Sequence, residues 1–161
     1  MKYKTREQWL VAAVEKLRPI FFEHGFDVPK DLLVSCGFAS TGLRSGHIGQ
    51  CWPRSYCSTN LNQLFISPAL DDPFEVLDTL VHELVHAVDD CQHKHGKEFK
   101  KIALKIGMQG PMRSAGAGPQ LKLRLVSIAQ SLDAYPHGKL KVPHRKIIRA
   151  SRPRARCLQC G

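Results

Sequence analysis

The run His82-Glu83-Leu84-Val85-His86 limits this chain more than any other stretch of it, because it sits inside an apolar segment that reads as a helix. Asp72 can cap that helix, Pro73 suits its first position, and Glu75 completes a capping-box-like pattern. Leu77, Leu80, Val81, Leu84 and Val85 then carry it to about Val88. Histidines four residues apart share one helical face, offset by about 40°, so both imidazoles can reach a single ion. Neutral imidazole suits Zn²⁺, and a glutamate beside the first ligand can touch a metal-bound water. Zinc lowers the pKa of such a water toward ~7, and the carboxylate can take its proton and later deliver it to a leaving amine. The plain alternative is a helix with two surface histidines and an ordinary Glu. With 8 His in 161 residues, the pattern arises by chance roughly 0.01–0.02 times per chain. An apolar helix of this kind must also be mostly buried, where unpartnered histidines are costly.

A catalytic zinc takes three protein ligands and keeps a fourth position open. Asp89, Asp90, Cys91, His93 and His95 follow the helix. The arrangement with Gly three residues after the second His, and His three further on, is excluded, because those positions are Asp89 and Gln92. The third ligand must come from the loop. His95 stands directly before Gly96 and the next expected helix, which would fix its direction, whereas His93 lies in the polar run Gln92-His93-Lys94.

The flanking chain supplies the rest of one domain. Thr5-Arg6-Glu7-Gln8 is a capping box opening a helix through Leu10, Val11, Val14, Leu17 and Ile20 to about Gly25. Short strands are expected at 32–38, 47–52 and 63–66, antiparallel because their spacing leaves no room for helical crossovers. The third of them would pair an extended substrate by edge addition. A helix from Gly96 to Gly107, a loop over 110–119 and a helix from Leu121 to Leu132 complete the pattern.

The run Ile66-Ser67-Pro68, then Leu77 to Ala87 around the two histidines, then His95-Gly96-Lys97-Glu98-Phe99, resembles the SprT-like (Spartan-type) metalloprotease domain over about residues 5–135. The resemblance implies an α+β fold, a small gluzincin-like domain whose short antiparallel sheet packs on helices including the one bearing the motif. It implies a domain over 1–136, a Zn²⁺ cofactor bound by His82, His86 and His95, and Glu83 as catalytic acid/base. Protein substrates and an association with DNA also follow from it. Tyr135 and His137 are candidates to face the metal as donors to a transition state, although a loop Tyr and His are more often just packed or solvated.

Charge points the same way. Residues 1–90 hold 8 Lys and Arg against 12 Asp and Glu, and residues 91–161 hold 16 against 2. Such a block is an electrostatic footprint for a polyanion, the alternative being a solvated tail. Within the expected basic tail, 137–161, Lys139, Lys141, Arg145, Lys146 and Arg149 are the candidate nucleic-acid contacts, to phosphates rather than base edges. The tail leads into Cys157-Leu158-Gln159-Cys160-Gly161, which resembles half of a zinc ribbon. Half a ribbon cannot hold zinc tetrahedrally, so either the sequence stops inside one or the pair borrows ligands such as Cys51 and Cys57. The other cysteines lack a disulfide-framework spacing, and no segment has the length of a signal core or membrane span. The expected location is cytoplasmic, at the nucleoid or in a nucleus. A non-enzymatic zinc module that binds DNA or a transcription complex competes with the protease reading, although metal binding alone has no need of Glu83. A nucleic-acid hydrolase fits the motif less well.

Overall fold

The computed structural model describes residues 2–42 and 46–142. Thr5 opens α1 (Arg6–Phe22) as its capping box predicts: its hydroxyl accepts Gln8 N–H at 3.2 Å, and the Gln8 side chain accepts Thr5 N–H at 3.4 Å. The helix buries Trp9, Leu10, Ala13, Val14, Leu17, Ile20 and Phe21 along one face. Gly25, at φ +79°, turns the chain away after its last turn.

Three strands follow, β1 (Leu32–Cys36), β2 (Gly49–Trp52) and β3 (Asn62–Ile66), in the order β1-β3-β2. β2 and β3 pair antiparallel, but β1 pairs with β3 in parallel, Leu32 opposite Asn62 through Cys36 opposite Ile66. The wholly antiparallel sheet expected from sequence is therefore corrected to a mixed one. Short spacing constrains only strands that are neighbours in the sheet. Residues 37–61, β2 among them, give the dozen or more residues that a parallel return requires. The third strand is also not an edge, since β3 is flanked on both sides. Among the described residues the edges are β1 and β2.

Helix α2 (Pro73–Val88) begins as read, with Asp72 Oδ1 accepting Glu75 N–H at 2.9 Å and Pro73 in the first turn. It runs through the middle of the fold, packed on β2 and β3 and on the later elements α3 (Lys97–Lys105), the hairpin β4 (Met108–Gln109) and β5 (Gly116–Ala117), and α4 (Pro119–Leu132). Leu77, Leu80, Val81, Leu84 and Val85 are fully buried on it, joining Trp9, Phe21, Leu64, Ile66, Phe99 and Leu125 in one core. The stretch expected as loop over 110–119 holds a short helical turn, Met112–Ser114, besides β5. The architecture among the described residues is α+β, four helices with two short sheets, and no helix there is long and apolar enough to cross a membrane.

Beyond α4 the chain returns to the body. The buried Arg6 guanidinium donates to Pro136 O at 3.0 Å, Gly138 O at 2.7 Å and Pro68 O at 3.3 Å, and Leu140 N–H reaches Pro68 O at 2.8 Å. The first residues of the expected basic tail are thus held against α1 and the turn after β3. Residues 143–161, with Arg145, Lys146, Arg149, Cys157 and Cys160, lie outside the described residues.

Candidate metal centre

α2 presents His82 and His86 on one face, and the loop after it brings His95 to meet them. His95 Nε2 lies 3.2 Å from His82 Nε2 and 3.2 Å from His86 Nε2. The three ligand atoms fall within 4.8 Å of one another, the one such His/Cys/Asp/Glu group among the described residues. The spacing tests the fit. Bonds of about 2.0–2.1 Å at tetrahedral angles hold two nitrogens about 3.3 Å apart. Three neutral nitrogens suit an imidazole-preferring transition metal and not the oxygen-seeking Mg²⁺ or Ca²⁺.

The surroundings hold the rings neutral. Burial lowers the pKa of His82, opposed by its bond to the Ala115 carbonyl. Burial, then the charges of His82 and His95, pushes His86 down to about 3. Burial, then Arg113 and His47, lowers His95. All three therefore offer lone pairs at pH 7. His82 Nδ1 donates to Ala115 O at 3.3 Å, which assigns its proton to Nδ1 and frees Nε2 for the cluster. Phe99, fully buried on α3, backs the rings with centroids 5.0 Å from His82, 4.4 Å from His86 and 4.9 Å from His95.

Two devices shape the loop that delivers His95. Asp90, at φ +48°, accepts Arg54 N–H at 2.9 Å and Asn62 Nδ2–H at 2.8 Å, pinning the turn to β3 and the turn before it. Asn62 is fully buried, and its Oδ1 has no partner among the described residues. Cys91 N–H then bonds His86 O at 2.8 Å, and its thiol donates to Cys51 Sγ at 3.3 Å. That bond and burial push the Cys51 thiol well above its usual range. His93 turns outward instead, its side chain 52% exposed and its Nδ1 donating to Asp89 Oδ1 at 2.7 Å. Of the loop candidates, His95 joins the cluster and His93, Asp89, Asp90 and Cys91 serve the loop.

Glu83 is 6% exposed, tucked under β2 where Cys51 N–H donates to its carboxylate. Burial pushes its carboxyl up to about 8 against that bond. A buried carboxyl with so little compensation is costly in a purely structural helix. Its space exists because residue 49 is Gly: a Cβ there would collide with Glu83 Oε1 and stand 2.8 Å from Thr79 Cγ2.

The remaining candidates fall elsewhere. Tyr135 packs edge-on against Trp9 at 5.0 Å with the Arg6 guanidinium 5.1 Å from its ring, so it belongs to the core beside α1. His137 is exposed in the turn that Arg6 grips. Neither joins the cluster: Tyr135 is packed and His137 is solvated, the ordinary fate of a loop Tyr and His. Cys57 makes no contact with Cys51: its thiol meets Thr59 Oγ1 and Gln63 Nε2, each at 3.0 Å, and Cys51 pairs with Cys91. Lys139 Nζ lies 3.5 Å from Asp71 Oδ1, whereas Lys141 is exposed. The Ala115 carbonyl, the Asp90 anchor and the Gly49 gap have no part in the motif, whereas Phe99 closes the run from His95 that the sequence singled out. Only Gly49, a glycine inside an expected strand, carried a visible signal of close approach. No protein-family model, curated protein or solved structure matches the chain.

Proposed function

We propose that the chain is a zinc metallopeptidase of the SprT-like type, acting on proteins associated with DNA. The observation that carries the reading is the convergence of three neutral imidazoles at 3.2 Å spacings, two of them on the helix that also bears the buried Glu83 carboxyl. His82, His86 and His95 would hold the metal, which when bound supplies Lewis acidity and makes water a nucleophile near neutral pH. Glu83 works as the proton carrier: in its ionised form, which the positive charge of a bound metal would favour against burial, it takes a proton from the attacking water and hands it to the amine as the peptide C–N bond breaks. Cys51 N–H steadies the carboxylate for that task, and the Ala115 carbonyl keeps the His82 proton on the nitrogen away from the cluster.

The substrate's path runs along β2 rather than β3. Cys51 N–H points away from β3 toward Glu83, so an extended backbone added to the free side of β2 would lie beside that carboxylate. The partnership with DNA rests on charge: Lys94 and Lys97 flank His95, and Lys100 and Arg113 are exposed nearby. The test is cleavage of a generic basic protein by the zinc-loaded chain, with and without DNA, against the chain stripped by a chelator. Cleavage that chelation abolishes and zinc restores is the expected result. Tight zinc and DNA binding with no cleavage would instead support a non-enzymatic binding module.

A further inference from the structure

One helical turn before His82, Asp78 leaves α2 on the same side and meets the hairpin that carries Ala115. Its Oδ1 accepts Ala117 N–H at 2.7 Å, while His82 Nδ1 donates to Ala115 O at 3.3 Å. Gly116 lies between these two contacts, and a Cβ there would stand 2.9 Å from Asp78 Oδ2. A side chain at residue 116 would press on the Asp78 carboxylate where the hairpin meets α2. β4 and β5 pair through just two positions, Met108 with Ala117 and Gln109 with Gly116. A two-stranded ribbon so short does not hold its own place. The ribbon packs on α3 and α4 as well as on α2, and the Asp78 carboxylate supplies a hydrogen bond to α2 only two residues from Ala115.

We propose that Asp78 is a positioning residue for the metal cluster: by gripping Ala117 N–H it presents the Ala115 carbonyl to His82 Nδ1, and so sets the tautomer whose Nε2 lone pair faces His95 and His86. The proposal rests on the reading of the three histidines as a metal site. A neutral imidazole carries one proton, on either nitrogen, and the nitrogen it sits on cannot bind a metal. Either form of His82 can share a proton with His95 Nε2 at 3.2 Å, but only the Nδ1–H form also bonds the Ala115 carbonyl. Without the grip, the carbonyl drifts, the proton divides between the two nitrogens, and part of the cluster's affinity is spent on moving it. Outer-shell partners of metal-bound histidines act through this same lever, and their loss typically costs 10–100-fold in affinity.

Asp78 as a mere fastener of the hairpin would affect stability alone, so the test needs a readout that fastening does not move. The variants are Asp78→Ala, Asp78→Asn and Gly116→Ala in the full chain. Each is read by the ¹⁵N shifts of His82 in the metal-free protein, and by zinc affinity in competition with a chromogenic chelator. Wild type should show His82 protonated at Nδ1. Asp78→Ala and Gly116→Ala should shift protonation toward Nε2 and weaken zinc roughly 10–100-fold. Asp78→Asn keeps an acceptor oxygen for Ala117 N–H and should restore both readouts. If Asp78→Ala fails to fold, Gly116→Ala carries the test, because it displaces the carboxylate without removing it. A folded Asp78→Ala or Gly116→Ala protein with the wild-type tautomer and affinity would overturn the proposal, as would an Asn variant that behaves like Ala. If wild type binds no zinc, the metal reading fails on its own, and the metal-free tautomers still decide whether Asp78 sets the His82 proton.

Discussion

Gly49→Ala is the substitution whose effect the structure specifies most closely. The backbone there is free of positive φ, so strain comes from packing alone. The new Cβ would collide with Glu83 Oε1 and stand 2.8 Å from Thr79 Cγ2 and 2.9 Å from Glu83 Cγ, against 3.4 Å for ordinary contact. Thr79 yields by rotation only at the loss of the bond its hydroxyl donates to Glu75 O at 2.8 Å. Either β2 lifts from α2 by about half an ångström or the Glu83 carboxyl swings off its bond to Cys51 N–H, and both disturb the same contact. Overpacking of this kind costs about 1–3 kcal/mol, roughly 5- to 150-fold in the folding equilibrium. Denaturant unfolding should show that loss, cleavage should fall with it, and zinc affinity should stay within about threefold because no ligand is touched. Gly138→Ala, where a Cβ meets nothing, is the control and should be nearly neutral. A Gly49→Ala protein of wild-type stability, within about 0.3 kcal/mol, and of wild-type cleavage rate would refute the placement of Glu83 under β2.

His95→Ala should weaken zinc by more than the roughly 10–100-fold cost of losing an outer-shell partner, while His93→Ala, which breaks only an exposed pair with Asp89, should leave affinity within about threefold; the reverse order in a chelator competition would displace His95 as third ligand. Hydrogen bonds from Thr59 and then Gln63 hold the Cys57 thiol down at about 7. Its thiolate is therefore present above that pH and lost below it, so alkylation followed by mass spectrometry should rise with a midpoint near neutrality, and Thr59→Ala should move the midpoint upward. Removing residues 139–161 should flatten the salt dependence of DNA binding, whose log–log slope is about −0.9 per duplex phosphate neutralised, and leave zinc content unchanged. An unchanged slope would make that segment a solvated appendage.

What sequence revealed and what it hid divide along a physical line. The limits of α2, its capping by Asp72 and the shared face of His82 and His86 follow from local chemistry, and the structure places them as read. His95 over His93 was legible in part, because a residue directly before a helix has a fixed direction, but the Asp89 bond that turns His93 away involves side-chain geometry no spacing encodes. The sheet order was hidden because β1 and β3, though separated by β2 in sequence, are neighbours in space, and register between distant strands is set by the core beneath them. Asp78 and Ala115 escaped notice for the same reason: their significance lies in a contact between α2 and a hairpin more than thirty residues away. Local pattern fixes which atoms can bind a metal. Tertiary contact decides which nitrogen keeps its proton.

The most direct test of the account compares Glu83→Gln with wild type at equal zinc occupancy, measuring the rate of peptide-bond cleavage in one protein substrate. Glutamine fills the space under β2 and can still accept Cys51 N–H, but it cannot take a proton from water. The account predicts an intact fold, an unchanged zinc content and a cleavage rate reduced by about 10²-fold or more. Cleavage at the wild-type rate in the zinc-loaded Gln variant would contradict it.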